Sequence, residues 1–538
     1  VYDVLVRNGR ISDGTGNPWF SADIGIKGDR IARIGPVEPA AVAREVIDAA
    51  GKVVAPGFID IHTHSDYSVF AHPTCDSKIL QGVTTVVSGN CGGSAAPVSA
   101  PSRHLKPANG LDGDLAEVFT WTDIQGYLDT FDGYHASCNM ATYVGLGSVR
   151  ETVMGVENRV PSPGEIRAMQ ALLRESLEQG AVGFSTGLVY VPGCYATLDE
   201  LLEVSRAAMG IPGIHYVSHT RSLNERLYEG IDEAIAVGET TGLPVQLSHM
   251  CPAPPYWHKA GEMLAKIDGI RHRGVEVTMD MFPYSFGGNS LFNQVPPWAR
   301  EGGAEKLVER LKDPATRQAI KEDTLKHGSA SGGSSKRVLI KEGRWDLIWL
   351  GSAQVNRQYI GLTIEEIAKI LKKDPYETML DLTIEEGPHT SIMGGDRTEE
   401  DVAAVLAHPL SMVGSDGSVD STAGDASRGI HPRSYGTFAR VLSRYVRERR
   451  VLTLEQAIRK MSSMPAQKIG FLDRGLLRVG MMADIAVFDT ETIADNATIK
   501  EPRAYATGVS EVLVNGEVVV RGGRHTGARP GRALRRRA

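Results

Sequence analysis

Two histidines separated by one residue, His62 and His64 in GFIDIHTHSD, close the first long apolar run of the chain. On an extended strand, residues two apart share a face. Both imidazoles then point to one side, a pairing that suits a divalent metal. Cys91 stands in SGNCGG, a glycine-flanked loop directly after the second apolar run. His219 in YVSHTR, His249 in QLSHM and Asp416 in VGSDG each mark the tip of a later run. Taken singly, each has an ordinary alternative: a buried inert thiol, a structural histidine, an Asp-Gly turn. Together the six offer nitrogen, thiolate and carboxylate donors for one or two borderline metals, zinc first.

These residues need a frame in which run ends converge. Apolar β-type runs at 53–62, 83–88, 140–145, 181–185, 214–219, 245–249, 275–280 and 412–416 alternate with amphipathic helical patterns, for example at 164–179, 198–208, 226–241 and 257–271. Such alternation implies an α/β chain with a parallel sheet. Eight repeats predict a closed (β/α)8 TIM-like barrel whose strand ends meet at one mouth. An open doubly wound sheet is the competing arrangement, and polar residues gathered at the run ends favour the barrel. The seventh and eighth runs lie too far apart for one helix. An inserted lid subdomain is therefore expected over about 286–400, with a flexible tip at 328–335. Both chain ends read as short strands, with Asn8-Gly9 and Asn515-Gly516 as turns. They predict one small β-sandwich assembled from residues 1–55 and 470–538, leaving 56–469 as the metal-dependent barrel.

The chain has 538 residues, with 58 Lys and Arg against 65 Asp and Glu, a net charge of −7. This slightly acidic balance argues against a nucleic-acid surface, which needs a basic face. Hydrophobic content of 42% and charged content of 23% exclude a disordered chain, a fibrous repeat and a small disulfide scaffold. Five widely spaced cysteines without a CxxC pair point to a reducing cytoplasm. No apolar run approaches the roughly 20 residues that span a bilayer, so no membrane partner is expected. The chain opens at Val1 on an alternating strand pattern rather than a signal peptide, although a removed leader stays compatible with that start. The basic ending GRALRRRA reads as a solvated tail.

GFIDIHTHSD, SGNCGG, the strand-end histidines and GSDG resemble the amidohydrolase superfamily. The resemblance is closer to one branch, the N-acyl-D-amino-acid deacylases or D-aminoacylases. GAVGFSTGLVYVPG, DMFPYSFGGNSL, HPRSYGTFARVL and VNGEVVVRGGRHTGARPGRALR carry it along nearly the whole chain. It implies zinc-dependent hydrolysis of the N-acyl bond of an N-acyl-D-amino acid. It also implies a tight zinc on Cys91, His219 and His249, with His62, His64 and Asp416 forming an adjoining, weaker position. Many binuclear relatives bridge their metals with a carboxylated lysine on the fourth strand. Here no Lys stands between Lys106 and Lys259, and a Cys91 thiolate can take the bridging role. Asp416 would then shuttle the proton from water to the leaving amine. The resemblance matches Arg433 to an α-carboxylate-binding arginine and Tyr284 and Ser290 to substrate contacts. Tyr284 reads equally well as a packing aromatic. Arg221 is a second candidate cation, with an ion pair to Glu225 as its alternative. Cys251 stands where some relatives have Lys, and Gly145-Leu146-Gly147 where some have Gly-His-Gly. Both departures suggest apolar substrate side chains or an unusual substrate. A cyclic amidase of the dihydropyrimidinase or dihydroorotase kind, and a non-catalytic barrel scaffold, are the competing functions.

Overall fold

The structure, a computed structural model, describes residues 1–38, 41–99, 118–387, 390–422 and 430–536. The last two residues of the basic tail lie outside them. Parallel strands follow one another in chain order. Phe58–Asp60, Val83–Ser88 and Asn139–Thr142 form one arc. Val144–Gly145, Phe184–Gly187, Tyr216–His219, Val245–Leu247, Val277–Met281 and Ser411–Val413 form the other. Backbone hydrogen bonds tie the arcs at both seams. The Val182 N–H donates to Thr142 and Val144 to Gly183, each at 3.0 Å. Across the other seam Asp416 donates to His62 at 2.7 Å and His64 to Gly417 at 2.9 Å. Ile59, Val87, Ala141, Val217 and Met412, from strands on both arcs, share one buried cluster.

Helices cover the outside as the apolar spacing predicts. Pro163–Glu178 starts on a reciprocal cap between Ser162 and Glu165 with proline in its first turn, and it buries Met169, Leu173 and Leu177. Leu198–Ser205, Leu227–Thr241 and Ala260–His272 follow at the expected places.

The run at 53–62 serves two sheets. Val53–Pro56 joins the terminal sheet and Phe58–Asp60 the parallel arc. The hand-over falls at Gly57, where an added Cβ would strike the Thr84 side chain and where the N–H donates to Asp484 across the boundary. Strands from both chain ends hydrogen-bond into a single nine-stranded sheet rather than two separate ones. It folds over a core that includes Val6, Ile24 and Ile26 with Ile485, Leu513 and Val518. Asn515-Gly516 makes the expected turn. Asn8-Gly9 does not: it forms a bulge inside the continuous strand Tyr2–Ile11, because that strand runs on to pair with Val53–Pro56. The basic tail is docked rather than solvated. Ala533 bridges Met140, and Arg535 pairs with Asp129 and Asp132.

Between Met281 and Ser411 the chain builds its own antiparallel sheet from Gly287–Ser290, Ser391–Gly394 and Ile348–Leu350. Among the described residues, helices Ala304–Lys312, Pro314–His327, Arg337–Lys341, Ile364–Leu371 and Pro375–Glu386 pack with it, and Leu291, Leu311, Ile348, Ile367 and Leu380 are part of its separate core. The stretch 328–335 is not a free tip. Ser329 and Ser334 are buried, and the Ser329 hydroxyl donates to the Ser334 carbonyl at 2.8 Å. No helix among the described residues is long and apolar enough to cross a membrane.

Candidate metal centre

The six expected donors converge at the mouth of the parallel arcs. Cys91 Sγ lies 3.3 Å from His62 Nε2 and 3.7 Å from His249 Nε2. Ligands of one tetrahedral zinc stand roughly 3.3–3.6 Å apart. His249 Nε2 is 2.9 Å from His219 Nδ1. Asp416 Oδ1 is 2.9 Å from His64 Nε2 and 3.5 Å from His62 Nε2. One ligand atom each from His62, Cys91, His249 and Asp416 falls within a 4.8 Å span, and all four residues are buried. That group takes two donors from each of the expected positions. Its soft thiolate, imidazoles and carboxylate fit a borderline metal such as zinc.

Local backbone aims these groups. Cys91, His249 and Asp416 have φ values of 53°, 35° and 51°, in the left-handed region that non-glycine residues avoid. Strain of about 1–3 kcal/mol per residue persists only where surrounding structure holds it. The fourth strand supplies part of that hold. Ser185 Oγ donates to the Gly89 carbonyl at 2.5 Å and accepts from the Gly92 N–H at 3.0 Å, gripping the Cys91 loop on both sides. A Cβ on Gly92 would come 2.5 Å from the Gly187 nitrogen, so loop and strand touch backbone to backbone. The strand end that has no lysine therefore seats the thiol instead.

A supporting set escaped sequence reasoning. Asp280 Oδ1 binds His62 Nδ1 at 3.0 Å and the His249 N–H at 2.8 Å, while Gln246 holds its other oxygen at 2.7 Å. This arrangement turns His62 Nε2 toward Cys91. Asp280 closes the seventh run as Asp416 closes the eighth, so the same strand-end signal was available for it. Buried Lys78 bonds Asp60 at 2.9 Å and Ser415 Oγ at 2.7 Å, and Asp60 accepts the Ser415 N–H at 2.8 Å. Together they brace the backbone before Asp416.

The charges reinforce one another. Burial pushes the Cys91 thiol up, but His62, His219 and His249 outweigh it and hold the group well below its ordinary range. Burial opposes ionisation of Asp416 too, and Arg433, His249 and His64 keep it well below the usual carboxylate range. Arg433 Nη1 lies 2.7 Å from Asp416 Oδ2.

A narrow pocket opens beside the donors, lined by His219, His249, Asp416 and Arg433 and, from the insert, Lys336 and Arg397. Ser290 and Tyr190 line the adjoining open cleft with His64. Tyr284 and Arg221 are placed elsewhere. The Tyr284 hydroxyl donates to Asp495 at 2.9 Å under the Arg440 guanidinium, which makes it a packing aromatic. Arg221 is held by Glu233, at 2.8 Å, and not by Glu225, and it caps the Cys194 and Ala196 carbonyls. Leu146 faces a separate cavity with Leu188 and Val204, and buried Cys251 does not line the pocket.

Comparison with known proteins agrees in kind. The profile of the amidohydrolase family matches residues 45–520. N-acyl-D-glutamate deacylase of Alcaligenes xylosoxydans xylosoxydans is 35% identical, covering 100% of this chain and 97% of its own. D-aminoacylase of the same organism is 34% identical over 100% and 98%. The crystal structure of N-acyl-D-glutamate deacylase from Bordetella bronchiseptica, complexed with zinc and a phosphonate mimic of the tetrahedral intermediate, superposes with a TM-score of 0.81. That chain is 34% identical, with 99% of this chain and 100% of that one covered.

Proposed function

The chain belongs to the amidohydrolase family, and from that premise we infer that it is a metal-dependent deacylase of N-acyl-D-amino acids, releasing a carboxylate and a free D-amino acid. One observation carries this reading: a donor set that joins the Cys91 thiolate to His62, His249 and Asp416 lies at the edge of a pocket in which Asp416 is paired with Arg433. When bound, zinc supplies Lewis acidity to the acyl carbonyl and acidifies water. Cys91, His219 and His249 are the residues we assign to the tight ion, and His62, His64 and Asp416 to the adjoining position. Asp416, ionised beside Arg433 and hydrogen-bonded to His64, takes the proton of the attacking water and returns it to the leaving amine. Tyr190, its ring 5.0 Å from that of His219, is our candidate donor to the oxyanion. Burial raises its phenol well above the ordinary range, so the proton stays available. Arg433 takes the α-carboxylate in a bidentate fork.

The two arcs read best as one closed (β/α)8 barrel comprising 56–469. The terminal sheet, 1–55 with 470–538, forms the small domain, and the insert at about 286–400 forms a pocket wall. A cyclic amidase is disfavoured because Ser185 and Gly187 occupy the place of the bridging lysine and serve the Cys91 loop.

The test is a hydrolysis screen over matched N-acetyl-D- and N-acetyl-L-amino acids, with metal analysis of the same sample. Hydrolysis confined to the D series, with at least one zinc per chain, is expected. Equal rates on both hands, or a preference for L, would move the protein to another branch of the family.

A further inference from the structure

The pocket's charge argues against the apolar preference expected from Cys251. Three cations line it: Lys336, Arg397 and Arg433, only 3%, 8% and 9% exposed. Two carboxylates answer them. Asp416 pairs with Arg433 at 2.7 Å, and Asp396 is shared by Lys336 at 3.0 Å and Arg397 at 2.9 Å. Burial would raise Asp396, yet Arg397 and Lys336 hold it at about 2, so it is ionised and already spent on both. Among the described residues the insert side sets two basic groups against one carboxylate, and burial pulls the Lys336 ammonium below its ordinary range, a cost that an arriving anion would offset. Arg397 Nε and Arg433 Nε are buried without a hydrogen-bond partner. A buried cation without a full counter-charge is costly, which implies that an anion arrives to complete it.

The wall is built to admit these groups. Gly287 and Gly394 face each other across the antiparallel pair. A Cβ on Gly287 would sit 2.6 Å from Arg397 Nη1, and one on Gly394 would sit 2.5 Å from Lys336 Cγ. Two facing positions without side chains thus open the slot through which both cations reach the pocket. Arg397 and Arg433 each stack on the Phe282 ring, at 4.7 and 4.8 Å, which fixes both guanidinium planes. The remaining wall sets polar Ser222, Asn224 and Asn289 beside apolar Val189 and Leu223.

We propose that Lys336 and Arg397 form a second anion subsite and that the preferred substrates are N-acyl-D-amino acids whose side chain carries a carboxylate, of the glutamate or aspartate class. This rests on the deacylase reading and extends it. Overall similarity does not choose the side chain, since N-acyl-D-glutamate deacylase and D-aminoacylase are 35% and 34% identical to this chain.

The test compares kcat/KM of the zinc-loaded enzyme within isosteric pairs: N-acetyl-D-glutamate against N-acetyl-D-glutamine, and N-acetyl-D-aspartate against N-acetyl-D-asparagine. N-acetyl-D-leucine is run alongside. A charge-assisted contact predicts roughly tenfold to hundredfold preference for the acidic member of at least one pair. Lys336→Met and Arg397→Met should each shrink that ratio toward one. The wild-type pairs test the subsite even if a variant fails to fold. Equal rates within both pairs, or faster hydrolysis of N-acetyl-D-leucine, overturn the subsite and leave the deacylase reading standing. An unchanged ratio in both variants overturns the assignment to these residues. Hydrolysis of none of the five overturns the deacylase reading itself.

Discussion

Two walls of one pocket are made in different ways. On the donor side, all six candidate ligands lie within four residues of a parallel-strand end, and the strands bring one atom each of His62, Cys91, His249 and Asp416 within 4.8 Å of one another. On the insert side, Lys336 precedes the short helix Arg337–Lys341, and Arg397 follows the strand Ser391–Gly394. These two meet through a shared buried carboxylate and a pair of facing glycines. The first wall is held by strand register and by hydrogen bonds that keep strained backbone in place, and its donor set suits a metal. The second is held by side-chain pairing on a separately cored subdomain, and it is tuned for charge. Damage to the first should therefore remove the metal or the chemistry. Damage to the second should change which substrate is used while the metal stays.

The largest effect should follow Cys91→Ala, which removes both the charge and the softness of the donor set. Tightly bound zinc and hydrolysis should disappear together. Undiminished zinc in metal analysis of this variant would remove Cys91 from the centre. Asp416→Asn keeps the shape and deletes the base. Turnover should fall by at least roughly 10²-fold, with the tightly bound zinc at the Cys91 site unchanged. Near-native turnover would refute the proton shuttle, and loss of zinc would move Asp416 into the tight site.

Asp280→Asn sharpens the contrast within the donor wall. Loss of a partner that orients a ligand lowers metal affinity by about 10–100-fold. Activity should therefore recover when zinc is added in excess, which a merely destabilised fold would not do. Arg221→Ala should have the smallest effect, because Arg221 is engaged with Glu233 outside the pocket. It should lower stability by about 1 kcal/mol and leave kcat/KM and stereoselectivity within roughly threefold. A large selective loss on D-substrates would return Arg221 to the substrate site.

Much of this molecule was legible before its structure. The order of strands and helices follows from apolar period, since a half-buried helix and a buried strand need different spacings. The donors were legible because a residue at a strand end is placed by the sheet itself, whatever surrounds it. Asp280 carried the same signal and was passed over because it stands behind the ligands rather than among them. The presence of separately cored structure between Met281 and Ser411 followed from a gap no single helix could fill.

What local sequence did not determine was which distant groups would meet. Arg221 had Glu225 four residues away, yet helix packing brought Glu233 to it. Tyr284 found Asp495, and the glycine- and serine-rich stretch at 328–335 packed against the pocket instead of hanging free. Asn-Gly made a turn at Asn515 and a bulge at Asn8, according to what the next strand had to pair with. Cys251 suggested an apolar pocket, whereas Lys336 and Arg397 filled it with charge from elsewhere in the chain. Strand and helix are decided by neighbours along the chain, through period, caps and backbone preference. Pocket charge is decided by neighbours in space, through ion pairs and clearances between segments far apart in sequence, and these exist only once the chain has folded.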